Sequence, residues 1–164
     1  MASVVIILGS KSDAATIQPC LEILARAGVP ARVRIASAHR SPKFLDEIIQ
    51  KANEDPEVAV ILAAAGQAAH LPGVVASKTL KPVLGVAIAG PPLQGVDAML
   101  SIVSMPKGVP CPLVGLDKSG MVNGALFALR VLAVHDTKAM AFLEGYQKEL
   151  EEAVRRDDAQ EGHL

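Results

Sequence analysis

Three short polar segments, each following a run of apolar residues, carry the side chains that could do chemistry. They are residues 9–13 (Gly-Ser-Lys-Ser-Asp), 37–40 (Ser-Ala-His-Arg) and 66–73 (Gly-Gln-Ala-Ala-His-Leu-Pro-Gly). If the apolar runs are parallel strands, the segments meet outside the carboxyl ends of those strands, where such sheets bind ligands. Together they supply hydroxyls, backbone N–H groups, a carboxylate, a guanidinium and two imidazoles. This set suits a small phosphorylated metabolite whose chemistry consists of proton transfers.

The first segment is predicted to bind part of the ligand at a strand-to-helix turn. Gly9 permits a tight turn, and the hydroxyls of Ser10 and Ser12, together with a helix N-terminus, favour an anion. Asp13 is expected to avoid a phosphate and to accept hydrogen bonds from ribose hydroxyls. An ordinary helix-capping loop uses the same residue types, so that alternative stays open. The segment lacks both the dinucleotide fingerprint and the long phosphate loop ending in Gly-Lys-Ser/Thr, which argues against dinucleotides and nucleoside triphosphates.

The second segment combines a phosphate ligand with a proton carrier. Arg40 can hold a phosphate through two parallel N–H bonds, and Ser37 is expected to share the anion. The imidazole of His39 exchanges protons near neutral pH, so His39 is predicted to be a catalytic acid–base. A single histidine at a strand end is often structural, but its neighbours Ser37 and Arg40 favour the catalytic interpretation.

In the third segment, small residues surround His70 and allow the backbone to approach a ligand closely. His70 is also predicted to be catalytic. Its side chain could donate a hydrogen bond to a carboxylate or cap the helix that follows, and both interpretations remain open. The other residues of this loop that are predicted to contact the ligand are Gly66, Gln67, Ala68 and Leu71.

The elements that must position these loops alternate between strand and helix. Apolar runs predict strands at 4–8, 58–65, 82–88 and 113–116, and a further strand is predicted at 29–36. Apolar residues at helical spacing predict helices that end at Gly28, begin at Pro42, and span 71–77, 96–103, 121–134 and 137–156. Pro19 is expected either to kink the first helix or to mark its beginning. The alternation predicts one α/β domain over residues 1–164, with a five-stranded parallel sheet between two layers of helices.

The last predicted helix, 137–156, has no strand after it and is expected to protrude from the domain. Its apolar residues are Met140, Leu143, Tyr146, Leu150 and Val154. The mean hydropathy of the chain is positive, at +0.36. We therefore expect a neighbouring subunit to cover this helix in a homo-oligomer.

The composition excludes several classes of partner. With no Trp, one Tyr, three Phe and a net charge of −1, the chain lacks the aromatic platforms and the basic field that favour nucleic acids or anionic membranes. Cys20 and Cys111 lack the spacing of a zinc site or a disulfide framework, so buried thiols are expected. The first residues favour a strand over a signal peptide, and a cytoplasmic protein is expected. His135 is expected to cap or pack, and His163 is assigned no role.

Taken in order, these segments resemble the family of N5-carboxyaminoimidazole ribonucleotide mutases, also described as catalytic subunits of phosphoribosylaminoimidazole carboxylase. The likeness continues through residues 78–86, 95–97, 101–108 and 132–136, and so covers essentially the whole chain. It implies a flavodoxin-like fold and a homo-octamer with its active site at a subunit junction. It also implies a reaction that needs no metal, ATP or biotin.

The resemblance further implies roles for individual residues. Ser10, Asp13 and Arg40 would bind the ribonucleotide. His39 would be the acid–base, and the histidine of the family's Pro-Gly loop corresponds to His70. The implied reaction belongs to purine biosynthesis: N5-carboxyaminoimidazole ribonucleotide is converted reversibly to its 4-carboxy isomer by decarboxylation and recarboxylation. An ATP-dependent synthetase that makes the N5-carboxy compound would be a functional partner.

Two departures from the family pattern keep alternatives open. The family usually has a second glycine where Gln67 stands, and the paired prolines Pro91 and Pro92 resemble a related class that carboxylates aminoimidazole ribonucleotide directly with CO2. That class lacks the His-Leu-Pro-Gly element present here, which favours the mutase. From a different class, a non-catalytic flavodoxin-like module would bind FMN or accept a phosphoryl group. The loops lack the aromatic neighbours of a flavin and the clustered carboxylates of a phosphoacceptor.

Overall fold

A computed structural model describes residues 1–161 of the chain, so His163 lies outside the described residues. The strands are β1 (Ser3–Leu8), β2 (Ala31–Ile35), β3 (Val58–Gly66), β4 (Val83–Ile88) and β5 (Leu113–Leu116). The α-helices are α1 (Gln18–Arg26), α2 (Pro42–Glu54), α3 (His70–Ala76), α4 (Val96–Val103), α5 (Asp117–Ala133) and α6 (Thr137–Glu161). A short 3₁₀ helix, Lys11–Thr16, precedes α1.

The five strands form one parallel sheet in the order β2-β1-β3-β4-β5. This is the strand order of flavodoxin-like sheets, whose ligands bind where the order reverses, between β1 and β3. The register places the ends of the strands side by side: Leu8 pairs with Ile35 of β2 and Ala64 of β3, and Gly66 pairs with Ile88 of β4. The predicted doubly wound sheet is therefore confirmed, and the loops that follow these strands share one edge.

The central strands β1, β3 and β4 are buried on both faces of the sheet, which explains their continuous apolar runs. In β1, Ile6 packs with residues of α1, α5 and α6, whereas Ile7 packs with residues of α2, α3 and α4. Both side chains are 0% exposed, as is Leu62 of β3. Burial of each such side chain contributes about 1.5–3 kcal/mol, so the central strands form a stable base for the loops.

Several predicted boundaries differ from the structure, and helix α6 extends to Glu161, five residues beyond its predicted end at Arg156. The N–H of Val29 donates to the carbonyl of Leu24 at 2.9 Å, which closes the end of α1, so β2 begins only after Pro30. Helix α5 begins four residues earlier than predicted, at Asp117. Pro19 lies in the first turn of α1, where the missing backbone N–H has no partner to lose. The prediction that Pro19 marks the beginning of the helix is therefore confirmed, and the predicted kink is not needed.

The expectation that a neighbouring subunit must cover the whole apolar face of α6 is wrong for its first half. Leu143 and Tyr146 pack against the core of their own chain. The Arg26 guanidinium lies 5.8 Å from the centre of the Tyr146 ring and donates to both carboxylate oxygens of Glu149, at 2.7 and 2.8 Å. Beyond Glu149 the helix continues with Leu150 and Val154, which are 53% and 67% exposed. Within residues 1–161, no helix is long and apolar enough to cross a membrane.

Candidate active site

A cleft of about 540 Å³ lies at the carboxyl ends of β1, β3 and β4, and all three polar segments line it. The predicted ligand-binding residues that line the cleft are Ser10, Ser12, Asp13, Ser37, Arg40, Gly66, Gln67 and Leu71, together with the predicted catalytic residues His39 and His70. Ala68 lies in the third loop, but its exposed side chain is not part of the cleft wall. The structure thus brings together predicted residues that lie far apart in the sequence: Ser10 and Leu71 are 61 positions apart.

The first loop is organised around the Asp13 carboxylate, which is only 8% exposed. The backbone N–H of Ser10 donates to Asp13 Oδ2 at 2.9 Å, and the hydroxyl of Ser12 donates to Asp13 Oδ1 at 3.2 Å. The Ser12 N–H donates to Ser10 Oγ at 3.1 Å, which caps the 3₁₀ helix. Because the loop uses these N–H groups itself, an anion in the cleft must find its main donors elsewhere, and Arg40 of the second loop offers them.

The second loop is a tight turn held by two serines. Ser41 Oγ accepts from the Ser37 N–H at 3.0 Å and donates to the Ser37 carbonyl at 3.2 Å, while Ser37 Oγ accepts from the Arg40 N–H at 3.2 Å. Helix α2 then begins at Pro42. Among residues 1–161 the Arg40 guanidinium forms no ion pair, so its charge is available to a ligand. Ser41 occupies the N-cap position of α2 but makes no capping bond to that helix, because its hydroxyl is used in this turn.

The two predicted catalytic histidines are in direct contact. His39 Nε2 lies 2.7 Å from His70 Nδ1, and the rings meet edge to face, with their centres 4.8 Å apart and an interplanar angle of 76°. A hydrogen bond between two ring nitrogens needs one N–H and one lone pair, so the facing nitrogens share one proton. The first residue of α3 is His70, yet no side chain caps this helix. The interpretation of His70 as a helix cap is therefore wrong.

The third loop turns sharply after β3 and needs unusual backbone angles. The Ala69 N–H donates to the Gly66 carbonyl at 3.1 Å, and two residues of the turn have positive φ, at 54° for Gln67 and 21° for Ala69. At Gly66 an added Cβ would lie 2.9 Å from the Ile88 carbonyl oxygen. Glycine at this position therefore lets β3 and β4 come together beneath the cleft.

Sequence reasoning missed one wall of the cleft. It is formed by Ile88, Ala89 and Gly90, at the end of β4. The Ala89 N–H donates at 2.8 Å to the carboxylate of Asp117, which begins α5 with a φ of 46°. These residues carry no polar side chain that could have drawn attention. Only their place beside β3 in a parallel sheet could have indicated their role.

The remaining candidate residues lie outside the cleft wall. Cys20 and Cys111 are buried free thiols, and burial raises the pKa of Cys20 to about 12 and that of Cys111 to about 11. His135 is exposed just after α5. Within the described part of the chain, no group of three or more His, Cys, Asp or Glu residues is placed to hold a metal ion.

Comparison with known proteins shows which proteins this chain is similar to. A family model described as AIR carboxylase matches residues 3–153. The N5-carboxyaminoimidazole ribonucleotide mutase of Escherichia coli strain K12 is 46% identical over 147 residues, which cover 90% of this chain and 86% of that protein. The protein of the same name from Methanocaldococcus jannaschii is 42% identical over 153 residues, or 93% of each chain.

The same architecture is found in a solved structure. A crystal structure of Treponema denticola PurE superposes with a TM-score of 0.89 at 22% identity, covering 98% of this chain and 99% of that one. At this identity the likeness concerns the fold, and it confirms the predicted three-layer arrangement. The sequence relatives carry names of enzymes, so they give no support to a non-catalytic flavodoxin-like module.

Proposed function

The chain belongs to the AIR carboxylase family, and from this premise we propose that it converts N5-carboxyaminoimidazole ribonucleotide to 4-carboxy-5-aminoimidazole ribonucleotide in purine biosynthesis. The observation that carries the proposal is the contact between His39 and His70, in the same cleft as the unpaired guanidinium of Arg40. A reaction that moves only protons and CO2 needs an acid–base beside a phosphate anchor, and this cleft offers both.

The proposed reaction has two steps, in which His39 first gives a proton to the departing nitrogen and then takes a different proton from carbon 4. First, the N5–carboxyl bond breaks, CO2 leaves, and protonated His39 delivers its proton to the departing nitrogen. Then carbon 4 of aminoimidazole ribonucleotide attacks the CO2, and the proton displaced from carbon 4 passes to His39. Atoms and charge balance over the cycle, so the reaction is an isomerisation. A positioned acid–base of this kind contributes about 10²–10⁴-fold to the rate.

His70 is proposed to act through His39. Their hydrogen bond fixes the orientation of the His39 ring and determines which of its nitrogens carries a proton, as the second residue of a catalytic pair does in other acid–base sites. His70 is itself held at the start of α3, with Leu71 and Pro72 buried behind it. His39, the proposed acid–base, is therefore positioned through His70 by a packed helix.

The ribose phosphate is proposed to bind at the second loop. Arg40 supplies two or more N–H donors, and the hydroxyl of Ser37 lies in the same turn. Asp13, whose oxygens already accept from Ser10 and Ser12, is a poor neighbour for a phosphate and suits the ribose hydroxyls. In this orientation the aminoimidazole ring of the ribonucleotide lies toward the His39–His70 pair.

Direct carboxylation of aminoimidazole ribonucleotide by CO2 is the second candidate. It is favoured by the end of β4, where Gly90 lines the cleft and is followed by the paired prolines Pro91 and Pro92. The test gives the purified protein each ribonucleotide separately while bicarbonate is varied. The mutase proposal expects faster formation of the 4-carboxy product from the N5-carboxy compound. Much faster formation from aminoimidazole ribonucleotide plus CO2 would establish the second candidate instead.

We further propose that the enzyme works in the cytoplasm as a homo-octamer and takes its substrate from an ATP-dependent synthetase. Support for the assembly comes from the exposed apolar side chains along α6 beyond Glu149 and along α4, where Val96, Leu100 and Val103 are 53%, 58% and 57% exposed. These three residues share one face of α4, because they recur at helical spacing. Such faces are usually covered by another protein surface, and a second copy of the chain is the occupant we propose.

A further inference from the structure

The residue Gln67 adopts a backbone conformation that its side chain disfavours. Its φ is 54°, in the left-handed region where a Cβ crowds the following carbonyl oxygen, so glycine is the usual occupant. The residue follows the last residue of β3 in the turn closed by the Ala69 N–H and the Gly66 carbonyl. Strain of this kind persists at binding and catalytic sites, where the side chain in question has a function.

Within residues 1–161, core packing does not explain the strain at Gln67, because its side chain is exposed. The residue also lines the cleft, as do Gly66 and His70 of the same loop. Gln94 is a useful contrast. It has nearly the same φ, 50°, and is also exposed, but it lies in the loop after β4 and outside the cleft wall.

We infer that Gln67 recognises the carboxyl group of the substrate. This inference rests on the proposed function, because the reacting carboxyl must lie beside the His39–His70 pair, and Gln67 belongs to the same loop as His70. The amide of Gln67 carries two N–H donors that can bind a carboxylate oxygen.

A neutral amide also fits the chemistry better than a cation would. A lysine or arginine here would stabilise the carboxylate of the ground state more than the partly formed CO2 of the transition state, and would slow decarboxylation. An uncharged donor orients the carboxylate and then releases CO2 with little electrostatic penalty. Gln67 therefore acts as a specificity residue for the carboxylated ribonucleotides.

The test compares the affinity of two ligands for the variants Gln67→Gly and Gln94→Gly. The ligands are 4-carboxy-5-aminoimidazole ribonucleotide and aminoimidazole ribonucleotide, measured by calorimetry on the full-length protein. Both variants relieve a positive φ, so both should have a higher melting temperature than the parent. Gln67→Gly should bind the carboxylated ligand about 10-fold or more weakly and the other ligand nearly unchanged, the effect of losing a hydrogen bond to a charged group. Gln94→Gly should bind both ligands as the parent does.

The outcomes separate this inference from the function on which it rests. Equal affinity of Gln67→Gly and the parent for the carboxylated ligand, with normal turnover, would overturn the role of Gln67 and leave the mutase proposal standing. Equal weakening of both ligands would also overturn it, because the side chain would then not read the carboxyl group. A parent protein that binds neither ribonucleotide would overturn both proposals.

Discussion

His39 and His70, 31 residues apart in the sequence, meet through a 2.7 Å contact between Nε2 of the first and Nδ1 of the second. One histidine follows β2 and the other opens α3, so the contact joins two loops across the edge of the sheet. A hydrogen bond between the facing nitrogens requires one proton between them, so we propose that the two rings act as one acid–base unit. This unit is the centre of the proposed mechanism.

Removing the partner of His39 should lower turnover without abolishing substrate binding. In His70→Ala the ring of His39 loses its orienting hydrogen bond, so kcat should fall while the Kd of the ribonucleotide changes little. His70→Asn places an amide near the former Nδ1 and should recover part of the lost rate. A purely structural role for His70 would give equal losses in both variants, with a matching fall in melting temperature and an unchanged dependence of kcat on pH.

Arg40 should account for recognition of the phosphate. Loss of a charge-assisted hydrogen bond costs about 1.5–3 kcal/mol, so Arg40→Ala should weaken ribonucleotide binding by about 10- to 150-fold. The affinity for the dephosphorylated nucleoside should hardly change, and this ligand serves as the control. If both ligands weaken equally, Arg40 does not hold the phosphate, and the ligand must lie in the opposite orientation.

The far half of α6 should matter for assembly and not for folding. Leu150 is exposed and lies beyond the ion pair between Arg26 and Glu149, so Leu150→Lys should leave the melting temperature of the chain nearly unchanged. Light scattering should report a homo-octamer for the parent and smaller species for this variant, with Gln147→Lys on the same helix as the matched control. A parent protein that is monomeric and fully active would contradict the proposed assembly.

The sequence predicted where the backbone places the three polar segments, but it did not predict which of their side chains touch. Convergence of the three polar segments followed from the rule that parallel strands end at one edge, and the central strands β1, β3 and β4 were recognisable because both of their faces are buried. The contact between His39 and His70 was not predictable. It depends on the turn before His70, where Gln67 and Ala69 take positive φ values that no propensity favours for these residues.

The docking of α6 and the cleft wall at the end of β4 also could not be predicted from the sequence. The docking of α6 depends on Arg26, which reaches Glu149 across 123 positions of sequence and also covers the Tyr146 ring. Such a contact leaves no local pattern, so the helix looked as if it lacked a partner in its own chain. The wall formed by Ala89 and Gly90 lacked a chemical signal altogether, since it offers only backbone and small apolar groups.

The buried thiols predict a dependence on pH. Burial raises the pKa of Cys20 to about 12 and that of Cys111 to about 11, so both thiols are protonated in the folded protein at pH 8. Because the thiolate is the reactive form, a disulfide-exchange reagent should label the native protein far more slowly than the urea-unfolded protein. Rapid labelling of two thiols per native chain would contradict their burial.

The sign of the effect on stability follows from the same shifts. In the unfolded chain the thiols titrate at about 8.5, below their folded pKa values, so unfolding releases protons above that pH. The contribution of the two thiols is therefore fully present below about pH 8.5 and declines as the pH rises toward 11. Urea midpoints at pH 7.5 and 10 should show this decline, and a Cys20→Ala, Cys111→Ala double variant should show less of it.

The single-turnover rate of His39→Asn tests the central claim most directly. Asparagine keeps a polar group of similar reach but cannot transfer a proton at neutral pH. The variant should bind N5-carboxyaminoimidazole ribonucleotide with nearly the parent's Kd and convert the bound ligand about 10²–10⁴-fold more slowly. A variant that binds the ribonucleotide and converts it at close to the parent's rate would contradict the assignment of His39 as the acid–base, and with it the mechanism proposed for this cleft.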